Sequence, residues 1–248
     1  RSKQVKGNAA QGVSYLVDGA KMLSHPSLRL FVLIPLIINI LIFGTFIGFT
    51  IGSLSGLMDK WMAAVPGWLG FIEWILWPLI ALTLSMATGY LFSAVALIIA
   101  SPFNGLLAEK AEELITGRPV DALEGFGAAL AAAPRAILRE ISKLIYYIPM
   151  ALFVLLLSFV VSPLAPFLWF LLGAWMMGIQ YVDYPMDNHQ LSFADVKEAV
   201  RSRRLSSLGF GGAVALCTSI PVVNFFVVPA AVVVATLLWS KELEPATR

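Results

Sequence analysis

The chain has 248 residues, of which 59% are hydrophobic and 13% are charged, and its mean hydropathy is +0.84. Soluble domains average about 25% charged residues, so this chain has too little polar surface to fold in water and is predicted to be an all-α integral membrane protein. The net charge of +2, with no basic run interleaved with aromatic residues, argues against a nucleic-acid partner.

The first predicted element is an amphipathic helix over residues 8–24, lying on the membrane surface. Its apolar residues recur at helical spacing. They are Val13, Leu16, Val17, Ala20 and Leu23.

The next element is a helix that starts at Pro26. Proline suits the first helical position, and the Ser-His pair before it offers a cap. The N–H groups of Ser27, Leu28 and Arg29 are then expected to be unpaired donors at the positive end of the helix dipole. Because the Arg29 guanidinium adds a forked cation suited to oxyanions, these three residues predict an anion-binding site. The alternative is that Arg29 is an anchor that contacts lipid phosphate.

Four windows contain no charged residue, and each exceeds the roughly 20 residues that one membrane span needs. They are residues 30–58, 74–108, 144–182 and 205–240. The first two predict long transmembrane helices, over 26–58 and over 74–116 with an extension beyond the membrane. A Ser-Pro pair at 101–102 also resembles a cap and helix start, with the helix continuing to Gly117.

The last two windows are broken near their middles by prolines, at Pro163, Pro166 and Pro221. They predict helical hairpins, each preceded by an amphipathic helix, within residues 123–182 and 192–240. With halves of about 15–18 residues, each hairpin either penetrates the membrane partly or crosses as two short spans. Both alternatives return the chain to the side from which it entered, so the whole chain is expected to form one membrane domain.

Basic residues predict the orientation. This topology places sixteen of the seventeen Lys and Arg residues on one face and leaves Lys60 on the other. The positive-inside rule then makes the face with both termini cytoplasmic. Four tryptophans near Lys60 are typical of an interfacial aromatic belt. They are Trp61, Trp68, Trp74 and Trp77.

Two basic stripes follow in the polar segments. The first basic stripe comprises Arg135, Arg139 and Lys143 at i, i+4 and i+8. The second basic stripe comprises Lys197, Arg201 and Arg204 at i, i+4 and i+7, on a helix that Ser192 and Asp195 are predicted to cap. Either stripe can line an anion vestibule, and for each the alternative is contact with lipid headgroups.

Neutral amides along the spans are further candidates for a polar path, because they can hold an oxyanion without trapping it. The candidates are Asn39, Asn104 and Asn224, with Glu109 near the mouth; packing is the alternative for each. No His/Cys cluster, nucleotide loop or nucleophile–base spacing occurs, so no metal, cofactor or enzymatic activity is predicted. The glycines of residues 208–212 are interpreted as close helix packing.

The chain resembles the CysZ-type sulfate transporters of bacterial inner membranes. Four stretches carry this resemblance, which covers nearly the whole chain. They are HPSLRLFVLIPLIIN (25–39), SPFNGLLAEKAEE (101–113), YVDYPMDNHQLSF (181–193) and LGFGGAVALCTSIPVVNFFVVPAAVVVAT (208–236). The resemblance implies two long transmembrane helices, two partly penetrating hairpins and a homo-oligomer. It implies ATP-independent sulfate uptake that feeds cysteine biosynthesis; the alternative is a membrane scaffold or assembly protein without transport.

The sulfate site of that family lies at the start of the first long helix, in a Gly-Leu-Arg-Arg-like stretch. The matching residues here are Ser27, Leu28, Arg29 and Leu30, so a serine replaces the glycine and a leucine replaces the second arginine. A single arginine is expected to bind sulfate more weakly, unless another basic residue substitutes.

Overall fold

The computed structural model describes residues 7–120 and 126–244, apart from the side chains of residues 39, 88–99, 126, 129, 221, 222, 224 and 225. Every regular element in this part of the chain is helical, which confirms the all-α prediction. In chain order the helices are α1 (Ala9–Met22), α2 (Pro26–Ala63), α3 (Glu73–Thr116), α4 (Phe126–Ala131), α5 (Ala133–Val160), α6 (Ala165–Asn188), α7 (Phe193–Ser202), α8 (Arg204–Thr218) and α9 (Pro221–Leu238). Short 3-10 turns cover Gly67–Ile72 and Ser162–Leu164, and a π-helical turn covers Trp239–Leu243.

Five helical segments of the described chain are long and apolar enough to cross a membrane. They are Pro26–Ala63, Gly67–Ala87, Ala133–Val160, Ser162–Asn188 and Phe226–Leu243. The protein is therefore a membrane protein of the helical type.

The described residues form two compact units. One contains the residues up to 33 and those from 101 onward, and the other contains residues 34–100. In the second unit, α2 and α3 expose large apolar side chains such as Phe49 and Trp74. An apolar outer surface of this kind is typical of contact with lipid.

The first unit is organised around α8, which packs closely against α1 and α6 through glycines. A Cβ at Gly211 would collide with the Ala174 carbonyl oxygen of α6, and a Cβ at Gly209 would collide with the backbone of Ala9 in α1. Only glycine lets these backbones approach so closely, which confirms the packing interpretation of residues 208–212. Phe210, between these two glycines, is fully buried.

Helix α1 is tied to the far end of the chain. Its packed face includes Gly12, Tyr15 and Gly19, while Val13 and Val17 stay exposed. The Tyr15 hydroxyl donates to Glu242 Oε1 at 3.0 Å. Burial, followed by the nearby Glu242 carboxylate, raises the pKa of Tyr15 to about 12.

The helix start suggested by the Ser-Pro pair at 101–102 is absent from the structure. Helix α3 runs through Pro102 without restarting, and it ends at Thr116, before the left-handed Gly117. A Ser-Pro pair inside a long apolar helix looks locally the same as a helix start, so the sequence does not separate the two cases.

The first hairpin has longer arms than its uncharged window indicates. Helices α5 and α6 contain 28 and 24 residues, or about 42 and 36 Å at 1.5 Å per residue. They are longer because α5 already includes the first basic stripe and α6 continues to Asn188. Helices α8 and α9 are shorter, with 15 and 18 residues.

Candidate functional site

The start of α2 lies at Pro26, as predicted, but its donors are not all unpaired. His25 Nδ1 accepts from the Ser27 N–H at 3.3 Å, and the His25 carbonyl oxygen accepts from the Leu28 N–H at 3.0 Å. The expectation of three unpaired N–H groups is therefore wrong. The reason is that the histidine before the proline supplies a cap from both its ring and its backbone.

The exposed groups at this helix start are side chains. Leu28 is fully buried and anchors the turn, whereas Ser27 and Arg29 are exposed. Arg29 Nε donates to the Ser24 carbonyl oxygen at 3.0 Å, which fixes the direction of the guanidinium. The Ser27 hydroxyl and the two terminal nitrogens of Arg29 make no hydrogen bond or ion pair with the described residues. They remain available to an oxyanion.

The first basic stripe lies against carboxylates of α6. Arg139 contacts both carboxylate oxygens of Asp183, with Nε 3.0 Å from Oδ1, and its Nη1 donates to the Leu191 carbonyl oxygen at 2.7 Å. Lys143 Nζ lies 2.9 Å from Asp183 Oδ2 and 2.7 Å from Glu140 Oε1.

Arg135 completes this set, with Nη2 3.2 Å from Asp187 Oδ1. Three cations therefore face three carboxylates, those of Asp183, Asp187 and Glu140. The stripe is neutralised, and the sequence analysis did not identify its partners.

A buried polar network extends from the stripe toward α3. Gln180 Nε2 donates to Glu140 Oε1 at 3.1 Å and lies 3.4 Å from the Tyr184 hydroxyl oxygen. Asn104 Nδ2 donates to the same hydroxyl oxygen at 3.3 Å. Polar groups buried in helices that can cross a membrane commonly serve transport.

The remaining path candidates lie in different surroundings. Asn104 is buried at the α3 end of the polar network, and Glu109 is buried with one oxygen 3.7 Å from Lys110 Nζ. The side chains of Asn39 and Asn224 lie outside the described residues.

A cavity of about 340 Å³ opens beside the first basic stripe. Its polar lining includes Ser101, Arg135, Arg139, Glu140, Asp183, Tyr184, Asp187, Asn188 and Gln190. The cavity therefore lies between an interior part of α3, the start of α5 and the end of α6.

The second basic stripe is exposed. Arg201 Nη1 lies 3.8 Å from Glu198 Oε2, and the two side chains are 65% and 73% exposed. Arg204 is also exposed and makes no ion pair with a described residue. It lies at the start of α8, after a break in the helix at Arg203, so the prediction that all three cations share one helix is wrong. Lys197 Nζ instead lies 5.3 Å from the ring centroid of Tyr146 and 5.1 Å from that of Phe193. The predicted capping box of α7 is confirmed, because Ser192 and Asp195 exchange hydrogen bonds.

One pair that the sequence did not predict joins an exposed histidine to a buried carboxylate. His189 Nε2 lies 2.7 Å from Glu112 Oε1, and its ring packs 5.7 Å from that of Trp239. The two residues are 77 positions apart, so no local pattern marks them. Within the described ranges, no three His, Cys, Asp or Glu residues form a group that could hold a metal ion.

The regions that match known proteins include almost all of these elements. Residues 15–229 match the family described as Sulfate transporter CysZ/Etoposide-induced protein 2.4. The chain is 45% identical to a protein of Pseudomonas paraeruginosa named Sulfate transporter CysZ, over 94% of this chain and 96% of that protein. Proteins with the same name from Vibrio atlanticus and Vibrio cholerae are 42% and 40% identical, over 94% and 96% of this chain and 93% and 96% of their own lengths.

Proposed function

We propose that this chain, which belongs to the Sulfate transporter CysZ/Etoposide-induced protein 2.4 family, carries sulfate across the bacterial inner membrane without hydrolysing ATP. The observation that supports this most is the 40–45% identity to proteins named sulfate transporters, over nearly their whole length. The matched region runs from α1 into α9, so it includes the helix start, both stripes, the whole first hairpin and part of the second.

Transport of a dianion needs a polar path. Even one charged side chain at the bilayer centre costs on the order of 3 kcal/mol or more, so bare sulfate does not cross hydrocarbon. We assign the path to groups that can bind an anion and release it again. They are Asn39, Asn104, Glu109 and Asn224, together with the arginines of the two stripes.

Sulfate recognition is proposed at Ser27, Leu28 and Arg29. The supporting observation is that Ser27 and Arg29 are exposed on the first turn of a helix, with the Arg29 guanidinium oriented by Ser24. The helix dipole adds a partial positive charge there. Since Leu30 stands where the family has a second arginine, binding is weak enough for release.

The second basic stripe is proposed to attract sulfate to the cytoplasmic end of the path. Arg201 and Arg204 are exposed, and the carboxylate that pairs with Arg201, that of Glu198, is itself exposed to solvent. Positive charge at a surface raises the local concentration of anions and the rate of encounter.

Both termini are proposed to be cytoplasmic, and copies of the chain to associate in the membrane. The orientation is supported because the predicted topology places sixteen of the seventeen basic residues on the face with both termini. The exposed apolar faces of α5 and α6 support association. Cysteines placed at Ser55 and in the tail should react from opposite sides of the membrane. Equal labelling of each from both sides would contradict a single orientation.

Sulfate flux separates a transporter from a scaffold. Purified protein in liposomes without ATP should admit labelled sulfate faster than protein-free liposomes, and unlabelled sulfate should compete. A scaffold or assembly protein would give the leak rate of the empty liposomes. Imported sulfate would supply a reductive route to cysteine, as the resemblance implies.

A further inference from the structure

The Asp187 carboxylate lies between two guanidinium groups on the wall of the cavity. Its Oδ1 is 3.2 Å from Arg135 Nη2 and 3.3 Å from Arg139 Nη1. This oxygen is buried, yet it receives no hydrogen bond of good geometry from the described residues. Asp187 therefore attracts both arginines electrostatically without being locked to either.

Asp183 binds Arg139 more tightly than Asp187 does. It binds Arg139 through Nε and Nη2 and also pairs with Lys143, and its side chain is only 4% exposed. The Asp187 side chain is 21% exposed. Of the two carboxylates, Asp187 is thus the one that can leave without opening the buried network.

Arg135 has hydrogen-bond donors that are not used within the described chain. Within the described chain its one hydrogen bond runs from Nη2 to the Asp187 carbonyl oxygen at 3.1 Å, and its side chain is 49% exposed. A guanidinium carries five N–H donors in a planar fork that fits two oxygens of a tetrahedral anion. The cavity of about 340 Å³ that Arg135 and Arg139 line has room for such an anion.

We propose that Arg135 and Arg139 form a second oxyanion subsite. In the absence of sulfate the Asp187 carboxylate occupies this subsite, and sulfate displaces it. This inference rests on the proposed function, because it takes sulfate as the ligand. When Asp187 turns away, the remaining charges of Arg135, Arg139, Lys143, Asp183 and Glu140 leave a net positive site. When sulfate departs, Asp187 returns and neutralises the arginines, so sulfate is not retained.

Removing the competing charge tests the subsite. A negative charge within about 4–5 Å of a bound anion weakens the binding of that anion at least tenfold, at the effective dielectric of a protein surface. Asp187→Asn should therefore bind sulfate about tenfold or more tightly than the parent, in equilibrium binding to purified full-length protein at fixed ionic strength. Adding Arg135→Gln should abolish the gain. The matched control is Asp18→Asn, which removes an exposed carboxylate of α1 and should leave sulfate binding unchanged. Equal affinities of Asp187→Asn and Asp18→Asn would overturn the proposal.

A measurement on the unaltered protein covers the case in which Asp187→Asn does not fold. Phenylglyoxal modifies exposed arginines, and peptide mass spectrometry locates the product. Sulfate should slow modification of Arg135 severalfold relative to the exposed Arg118, whereas chloride at equal ionic strength should not. Unchanged modification of Arg135 would overturn the subsite.

The two proposals fail in different ways. Asp187→Asn should give the same fold-gain in an Arg29→Ala background, because the subsite is separate from the helix start. A protein that transports sulfate but shows no gain on Asp187→Asn would remove the subsite alone. Absence of sulfate flux in liposomes would remove the proposed function, whatever the binding data show.

Discussion

The two basic stripes of the first unit carry the same charge at nearly the same helical spacing, yet they lie in opposite surroundings. Lys143 is buried and Arg139 is largely buried against Asp183, and both cations lie within hydrogen-bond distance of the Asp183 carboxylate. Arg201 and Arg204 are exposed, and the nearest carboxylate is the exposed Glu198. The stripe on a helix that can cross a membrane is thus paired with buried carboxylates, whereas the stripe at the end of α7 and the start of α8 has a single exposed ion pair.

The difference follows from desolvation. A cation taken out of water costs several kcal/mol unless a carboxylate and hydrogen bonds compensate it. A cation at the surface keeps its hydration and needs no partner. Spacing along a helix therefore does not show whether a basic stripe is buried against carboxylates or exposed to solvent.

The largest effect is expected from breaking the buried pairs. Asp183→Asn leaves Arg139 and Lys143 buried without their shared carboxylate, which should cost about 3–5 kcal/mol of unfolding free energy. Glu198→Gln, the corresponding change beside the second stripe, should stay within about 0.5 kcal/mol. Thermal unfolding of both variants in the same detergent measures the contrast. Equal losses in melting temperature would show that the two stripes do not differ in the way described.

A smaller effect is expected from loosening the helix that carries the second stripe. Ser192→Ala removes the cap of α7 and should cost about 1 kcal/mol, whereas Ser14→Ala on exposed α1 should cost little. Hydrogen bonds from Ser192 hold the pKa of Asp195 below its usual range. The stabilisation of α7 by the ionised Asp195 is complete above the ordinary aspartate pKa, and it is lost as the pH falls through the lowered pKa of Asp195.

Hydrogen exchange of the backbone amides of α7 in Ser192→Ala directly measures the loss of stability of this helix. Faster exchange confined to α7 is expected, with the α5–α6 pairs unaffected. Exchange that rises equally in α5 would mean that the stripes are coupled.

The smallest effect on stability is expected from Arg201→Gln combined with Arg204→Gln, within about 0.5 kcal/mol. Its expected consequence is kinetic: initial sulfate uptake at low ionic strength should fall severalfold. At about 1 M salt the Debye length is about 3 Å, so the double variant and the parent should then take up sulfate at the same rate. A defect that persists at high salt would point to direct binding instead of attraction.

Local signals predicted local structure well. Pro26 marked the start of α2, Ser192 and Asp195 marked the cap of α7, and the glycines of residues 208–212 marked close packing. Each of these features depends on neighbours within a few residues.

Partners distant in sequence were not predicted. Asp183 lies 44 positions after Arg139, and His189 lies 77 after Glu112, so only the packing of α3, α5 and α6 brings them together. The same limit applies to the neutralised first stripe, whose residues looked available for anion binding from their spacing alone. The Ser-His pair was predicted as a possible cap of α2, and His25 supplies it; the prediction did not allow for this cap occupying the N–H groups of Ser27 and Leu28.

Sulfate affinity of Arg29 variants tests the recognition site most directly. Charge-assisted hydrogen bonds contribute roughly 1.5–3 kcal/mol each, so Arg29→Ala should weaken binding by about ten- to a hundredfold. Arg29→Lys should lose part of the affinity, because an ammonium lacks the planar fork. The measurement is equilibrium sulfate binding to folded protein at fixed ionic strength, with chloride as competitor. A graded loss from arginine to lysine to alanine is predicted, and unchanged affinity in Arg29→Ala would contradict sulfate recognition at this helix start.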